Sequence, residues 1–469
     1  MHPIVSLSQL LNQRERERAF SDVTQKVDSH LIHTFIGITC LHRPTRRRHP
    51  PPMRRASASI VAAAATASFT LLPLASSRCD DDERNATTKR HHDELLRAQL
   101  VFRHGDRTPI TGLAPGDEMR GAWMEMVLTE RMRSDMRSRG RVDATWERRG
   151  LYARGEAWEG RLTRRGAEQM RKLGEKVIRK RLIEEEKLLS GDFETAVSNG
   201  EVKVRSTAVS RCVESAQSAL LGGWPTSRGA ENAAGDNASS SLEIEVRTKE
   251  NETMFPKPGS ACERLSAVFR SAWAPDASEE RDAFGRVGLR RLRDAVAAHT
   301  GKPAGVTQVW DPLQCRVNHD MALPDGVSVA DVSHLLALME RRHFAAFASP
   351  EASPLIGSQL LREICDEMVA PGNLKLSIYA GHDSTLMALF AALGTLGKGV
   401  KVWPRTASLL IFETWRMRDG SIAVRAVYNG EPLALTPKSR ESDGMTSYDD
   451  FKSFVDSRVP RDFVAACKL

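Results

Sequence analysis

No two of the seven cysteines are spaced as CxxC, which argues against a zinc ribbon or a thioredoxin-type centre. Five of them, Cys212, Cys262, Cys315, Cys365 and Cys467, lie beyond residue 80. One or two disulfides fit that number, and so does a set of buried free thiols; spacing alone does not choose. The body of the chain also lacks a charge bias. Of the net +8, residues 1–78 contribute 11 Lys/Arg against 4 Asp/Glu, and the remaining residues hold 57 against 56. So even a balance gives no basic footprint, and no nucleic-acid partner is expected. Nor is there a long hydrophobic run: residues 60–75 are apolar but rich in Ala and Thr, include Pro73, and fall short of the roughly 20 residues of a spanning helix.

What is present begins with a leader. Met53-Arg54-Arg55 precedes that apolar run, and Ser76-Ser77 follow it. A charged start, an apolar middle and small residues near a cleavage point describe a secretory signal peptide. An organelle transit peptide, mitochondrial for instance, competes with it, because residues 1–78 are rich in Arg, Ser and Ala and poor in acids. Residues 1–90 are read as a targeting and disordered segment, with no membrane span beyond an N-terminal signal or anchor. Asn85, Asn237 and Asn251 head glycosylation acceptor triplets, a weak pointer to the secretory route.

In residues 91–469, strand and helix patterns alternate. Residues 97–103 (RAQLVFR), 202–206 (VKVRS), 242–246 (LEIEV) and 374–380 (LKLSIYA) read as strands. Helices are predicted from Leu162 with Thr163 as cap, along the face of Val213, Ala216 and Leu220, and along Leu386, Leu389 and Leu393 up to Gly394. Residues 408–414 and 422–428 read as a hairpin around Asp419-Gly420, and residues 226–240 as a solvated loop. Two stretches break the alternation. Residues 110–160 look like a polar insertion of one or two helices, and residues 248–345 like helical patches broken by prolines, Pro312 among them. An α/β sheet covered on both faces follows, with ligands expected beyond the carboxyl ends of its strands.

Three polar clusters stand at those ends: Arg103-His104, Arg205-Ser206 and His382-Asp383. A phosphate ester carries up to two negative charges, and guanidinium matches its oxygens with paired hydrogen bonds. Arg103 and Arg107 flank the His104 imidazole, and their charge would favour the neutral ring needed to attack phosphorus. Gly105 keeps the loop close and Pro109 stiffens it. Asp383 is the natural proton donor, its pKa raised by a bound phosphate, and a protonated His382 would add positive charge. No metal or other cofactor is expected, since the arginines supply the charge. Each cluster alone has a bland reading, a surface ion pair or a solvated His-Asp; their convergence on one rim is what points to a site. The arginines between Arg131 and Arg165 read as a solvated helical face, with electrostatic steering as a minor role.

Leu100-Val-Phe-Arg-His-Gly-Asp-Arg-Thr-Pro resembles the signature of the histidine acid phosphatases, and the RHGxRxP pattern is met in full. Val204-Arg-Ser-Thr with Arg211, Ala380-Gly-His-Asp-Ser-Thr, and Leu162-Thr-x-x-Gly-x-x-Gln169 resemble three further segments of that family. The resemblance implies a phosphoglycerate-mutase-like α/β three-layer sandwich, mostly parallel, with a smaller, mainly helical cap built from the two insertions. It implies His104 as nucleophile, Asp383 as proton donor, and Arg103, Arg107, Arg205 and His382 as phosphate ligands. Met254-Phe-Pro, Trp403-Pro and Tyr448-Asp-Asp-Phe are similar to the lysophosphatidic acid phosphatase type. The expected partner is a small phosphorylated substrate, lysophosphatidate among the choices. A phytase-like inositol phosphate phosphatase is the alternative, and a catalytically silent scaffold or a mutase stand further off.

Overall fold

The computed structural model describes residues 93–114, 117–149, 157–226, 241–256, 262–274 and 277–469. The leader and nearly all of the loop expected at 226–240 lie outside the described residues.

Strand β1 (Glu94–Arg103) shows why a sheet with two buried faces forms here. Its run ELLRAQLVFR alternates between two cores: Leu100 and Phe102 enter one, and Val101 enters the other. Eight further strands complete the sheet: β2 (Gly140–Val142), β3 (Val202–Ser206), β4 (Leu242–Val246), β5 (Leu376–Gly381), β6 (Leu409–Arg416), β7 (Ile422–Tyr428), β8 (Glu431–Leu433) and β9 (Thr446–Ser447). The order is β2-β4-β3-β5-β1-β6-β7-β8, with β9 also on β7. From β2 to β1 the neighbours run parallel; β6 to β9 are antiparallel additions. The central trio β3-β5-β1 therefore ends at one rim.

Helices cover both faces, giving three layers. On one side lie α1 (Arg164–Gly174), the π-helical turn sequence Glu175–Glu185 that continues it, and α2 (Ser210–Gly223). Thr163 caps α1 through its hydroxyl, as its sequence position predicts. On the other side α6 (Asp383–Leu393) is buried along its length, and its last turn closes on Gly394 at φ +70°. The long insertion supplies α3 (Val306–Asn318), α4 (Val329–Phe347) and three further helices, and α5 (Ser358–Glu367) follows it. Leu265, Val309, Leu313, Leu335 and Met339 of the insertion share a single hydrophobic cluster with Val101, Phe412 and α6.

Two expectations are corrected. Residues 140–142, expected inside a helical insertion, form β2 at the edge of the main sheet, because a three-residue strand is too short to show a period and Gly140 lets Ile244 approach to within 2.9 Å of where a Cβ would stand. Pro312 does not break a helix but sits inside α3. The lost hydrogen bond costs about 3 kcal/mol, which burial of Val309 and Leu313 on the same helix offsets. Among the described residues no helix is long and apolar enough to cross a membrane.

Cys262 and Cys467 form a disulfide, while Cys212, Cys315 and Cys365 are buried free thiols. The bond fixes the start of the insertion's first helix, Glu263–Trp273, whose Arg264 N–H also donates to the Cys467 carbonyl at 3.0 Å. Replacing both cysteines by Ser should lower unfolding free energy by about 2–5 kcal/mol, read from urea denaturation of both proteins under non-reducing conditions.

Candidate active site

The loop after β1 is held by its backbone. A Cβ on Gly105 would sit 2.3 Å from the Gly166 carbonyl oxygen, and one on Gly166 would sit 2.1 Å from that of Asp106. The loop and the first turn of α1 thus touch main chain to main chain, which glycine at both positions allows. Gly105 N–H donates to Ser215 Oγ at 3.1 Å and Asp106 N–H to Gln169 Oε1 at 2.8 Å. The Asp106 carboxylate accepts from the Thr163 hydroxyl at 2.6 Å and lies 2.8 Å from His319 Nε2. Thr163, Gly166 and Gln169, in the segment singled out by its family resemblance, hold the loop that carries His104.

The His104 ring is 2% exposed. Its Nδ1 lies 2.8 Å from the Gly105 carbonyl oxygen. A carbonyl only accepts, so Nδ1 carries the hydrogen and Nε2 of the neutral ring keeps a lone pair. Burial first, then the charges of Arg211, Arg103 and Arg107, push its pKa well below the usual histidine range. The ring stands edge to face with His382, centroids 5.5 Å apart.

The three arginines acting on His104 are not the three expected. Arg103 donates to the Pro404 carbonyl at 2.6 Å and pairs with Asp383 at 3.1 Å. Arg107 is clasped by Asp311 of α3, 2.6 Å from Nη2 and 3.3 Å from Nη1. The third is Arg211, in the first turn of α2, 3.5 Å from His382 Nδ1. Arg205 does not join them. It is 1% exposed, and its two terminal nitrogens are taken by Glu252 at 2.6 Å, Glu363 at 2.5 Å and the Thr253 hydroxyl at 2.8 Å, so they serve internal ion pairs. Arg211 makes no ion pair among the described residues. It contacts the Gly160 carbonyl at 3.3 Å, and burial lowers its pKa to about 10. A guanidinium left without a counter-charge in a buried cluster suits an anion arriving from outside.

His382 occupies the N-cap of α6, with Nε2 3.0 Å from the Thr207 hydroxyl, Cys212 Sγ 3.5 Å away and Phe255 stacked at 4.7 Å. Burial and Arg211 hold its pKa well below the ordinary value. That shift works against the protonated form in which His382 would add positive charge. Asp383 accepts from the Ser384 N–H at 2.7 Å through Oδ1, and from Trp403 Nε1 at 3.2 Å through Oδ2. Burial alone would raise its pKa, but Arg103, His382 and Arg107 outweigh it and hold the carboxyl at about 2. A phosphate dianion bound beside it would act in the opposite direction and raise its pKa.

Sequence reasoning missed the part of Arg211, Asp311 and Trp403. One signal existed: a cation in the first turn of a helix opposes the helix dipole and so needs another reason to be there. Trp403 stood out only through its resemblance to the lysophosphatidic acid phosphatase type, with no role attached, and Asp311 carried no signal, since it reaches the site from a segment remote in sequence.

Residues 94–272 match the family described as Histidine phosphatase superfamily (branch 2). Among curated relatives, testicular acid phosphatase of Mus musculus is 29% identical over 64% of this chain and 63% of its own length. Lysosomal acid phosphatase of Bos taurus is 24% identical over 79% of each. Lysophosphatidic acid phosphatase type 6 of Mus musculus is 25% identical over 76% of this chain and 85% of its own. The chain thus covers less than two thirds of the first of these. Of solved structures, the Klebsiella sp. ASR1 phytase superposes with a TM-score of 0.51 at 15% identity, over 81% of this chain and 100% of that one, a likeness of fold. With the RHGxRxP loop seated as described, the matched segment over residues 94–272 is similar to the histidine phosphatase superfamily, branch 2, and the relatives it is similar to are acid phosphatases.

Proposed function

We propose that this protein is an acid phosphatase that hydrolyses phosphate monoesters through a phosphohistidine at His104. The observation that carries the proposal is the buried, neutral imidazole whose Nδ1 is committed to the Gly105 carbonyl, leaving Nε2 free beside Arg103, Arg107 and Arg211. In this reading the guanidinium groups bind the ester and stabilise the equatorial oxygens. Nε2 bonds to phosphorus as the ester P–O bond breaks, and the leaving alkoxide takes the proton of Asp383. Water then attacks the phosphohistidine, the P–N bond breaks, and Asp383 takes up the proton it lost. His382 and Arg211 complete the anion cradle.

The finer reading concerns the ester. The surroundings of Asp383 away from β1 are rings: Trp403 touches His343, which touches Trp273, each pair at 4.5 Å. Such a lining suits an apolar alcohol as leaving group better than an inositol carrying several further phosphates, which would call for cations. The relative named for lysophosphatidic acid supports lysophosphatidate as the substrate. The fold shared with phytases says nothing of substrate. A secretory destination belongs to the same proposal, supported by the disulfide, by the exposed Asn251 of an acceptor triplet, and by the lysosomal relative. N-terminal sequencing of the mature protein separates it from a mitochondrial route.

The decisive measurement is phosphate release from p-nitrophenyl phosphate, lysophosphatidate and phytate by wild type and His104→Ala. We expect lysophosphatidate to be preferred over phytate and the variant to be silent; an active His104→Ala would end the covalent reading. Arg211→Ala should lower kcat/KM by about a hundredfold or more. Arg205→Ala should instead unfold the protein more easily, by about 3–5 kcal/mol, because it strands the Glu252 carboxylate. The pH dependence follows from the two shifted groups. His104, its pKa depressed, stays neutral into acid, and Asp383 must hold a proton in the ester complex, so kcat falls as pH rises through its complexed pKa. The expected profile has its maximum below pH 7 with an alkaline limb that Asp383→Asn removes together with about 10²–10⁴ of the rate; a maximum in alkali would contradict it.

A further inference from the structure

Trp403 lies in the segment before β6, 20 residues beyond Asp383. Its indole is 9% exposed, and Nε1 donates to Asp383 Oδ2 at 3.2 Å. This is the same oxygen that Arg103 approaches at 3.1 Å. The backbone N–H of Ser384 holds Oδ1. The carboxylate therefore has one oxygen fixed from its own helix and the other from β1 and the Trp403 segment, which leaves its plane no freedom to turn.

Trp403 is itself gripped by α4. The carboxylate of Glu340 accepts a hydrogen bond from the Trp403 main chain. One turn along the same helix, His343 packs on the indole with centroids 4.5 Å apart at 65°. His343 is held in turn by its Nδ1, 2.9 Å from the Met339 carbonyl oxygen, and by Trp273 edge-on at 4.5 Å. Trp273 ends the helix that the Cys262–Cys467 bond secures. From the disulfide to Asp383 there is an unbroken path of packed rings and hydrogen bonds, and every group on it except Asp383 itself lies in the insertion, in the Trp403 segment or at the disulfide.

We infer that Trp403 is the positioning residue for the general acid: its indole N–H fixes the carboxyl of Asp383 toward the leaving-group oxygen, and α4 fixes Trp403. The inference rests on Asp383 being the proton donor proposed above. It carries a specific consequence, because proton donation matters in proportion to how poor the leaving group is. An alkyl alkoxide needs the proton at the moment of P–O cleavage, whereas p-nitrophenolate leaves with little help. A hydrogen bond to the ionised carboxylate also favours that form, so removing it lets the proton stay on to higher pH. Arg103, Arg107, Arg211, His382, Cys212 and His343 face the same carboxyl and remain in place when only the indole N–H is lost.

The test is Trp403→Phe, which keeps a ring against His343 and removes the donor, assayed on a series of phosphate esters from alkyl to nitrophenyl across pH 4–9. We expect kcat to fall about tenfold on alkyl phosphates and clearly less on p-nitrophenyl phosphate, with the alkaline limb of kcat moved upward by several tenths of a pH unit. An equal loss across the series with an unmoved limb overturns the inference, since that is what damage to the phosphate cradle or to folding would give. If the Phe variant does not fold, Trp403→Tyr, which also removes the donor from that point, is read by the same two criteria. Asp383→Asn run in parallel separates the two levels: if it keeps the wild-type rate on alkyl phosphates, the acid assignment fails whatever Trp403 does.

Discussion

Like charges gathered in a buried place are the constraint on which this structure turns. Arg103, Arg107 and Arg211 all act on a single imidazole that is itself cut off from water. Such a cluster repels itself, and the structure distributes carboxylates around it unevenly. Asp311 compensates Arg107, Asp383 compensates Arg103, and Arg211 has neither. Field and burial together lower the pKa of both His104 and His382, so the positive charge rests on the guanidinium groups, and His104 is favoured in the neutral form that the proposed attack on phosphorus needs. The same field holds the pKa of the Asp383 carboxyl at about 2, low in the carboxylate range.

Everything that places these groups is backbone geometry. β1 and β5 end at adjacent positions of a parallel pair, with Arg103 opposite Gly381. That register brings His104 and His382 to the same rim, and the main-chain contact of Gly105 with Gly166 fixes the loop over α1. The opposite wall comes from the insertion. Its helices contribute Asp311 and, through Trp403, the setting of Asp383, and their apolar faces are continuous with the core beneath the sheet. A cap sharing that core is braced against it, which suits residues that hold the Asp383 carboxyl in one orientation.

Much of this was legible before any coordinates. The strands that matter are short apolar runs ending in polar residues, and the helices after them carry clear periodicity and caps, as Thr163 and Gly394 show. Arg103, His104, His382 and Asp383 were legible as candidates because each stands at the end of such a run, and Arg107 because it lies in the loop that follows the first. Arg205 misled by the same rule. It too stands at the end of a strand, but Glu252 and Glu363, neither adjacent in sequence, consume its charge. Strand-end position says where a side chain begins and not where its head group goes, and a long arginine has room for both answers. Whether His382 carries a proton was not legible for a related reason: its burial and the proximity of Arg211, which lower its pKa, are tertiary facts. Asp311 and Trp403 were beyond reach because their partners lie 204 and 20 residues away in segments without a repeating pattern.

The disulfide spans 205 residues of sequence, and Asp311, His382, Asp383 and Trp403 all lie between its ends. Half of the site therefore sits inside one covalent ring. Such a ring can close only after every residue within it has been synthesised, so the bond cannot guide this half as it emerges. It acts as a seal on an assembly already made, and the order of events during biogenesis is written into the spacing of two cysteines.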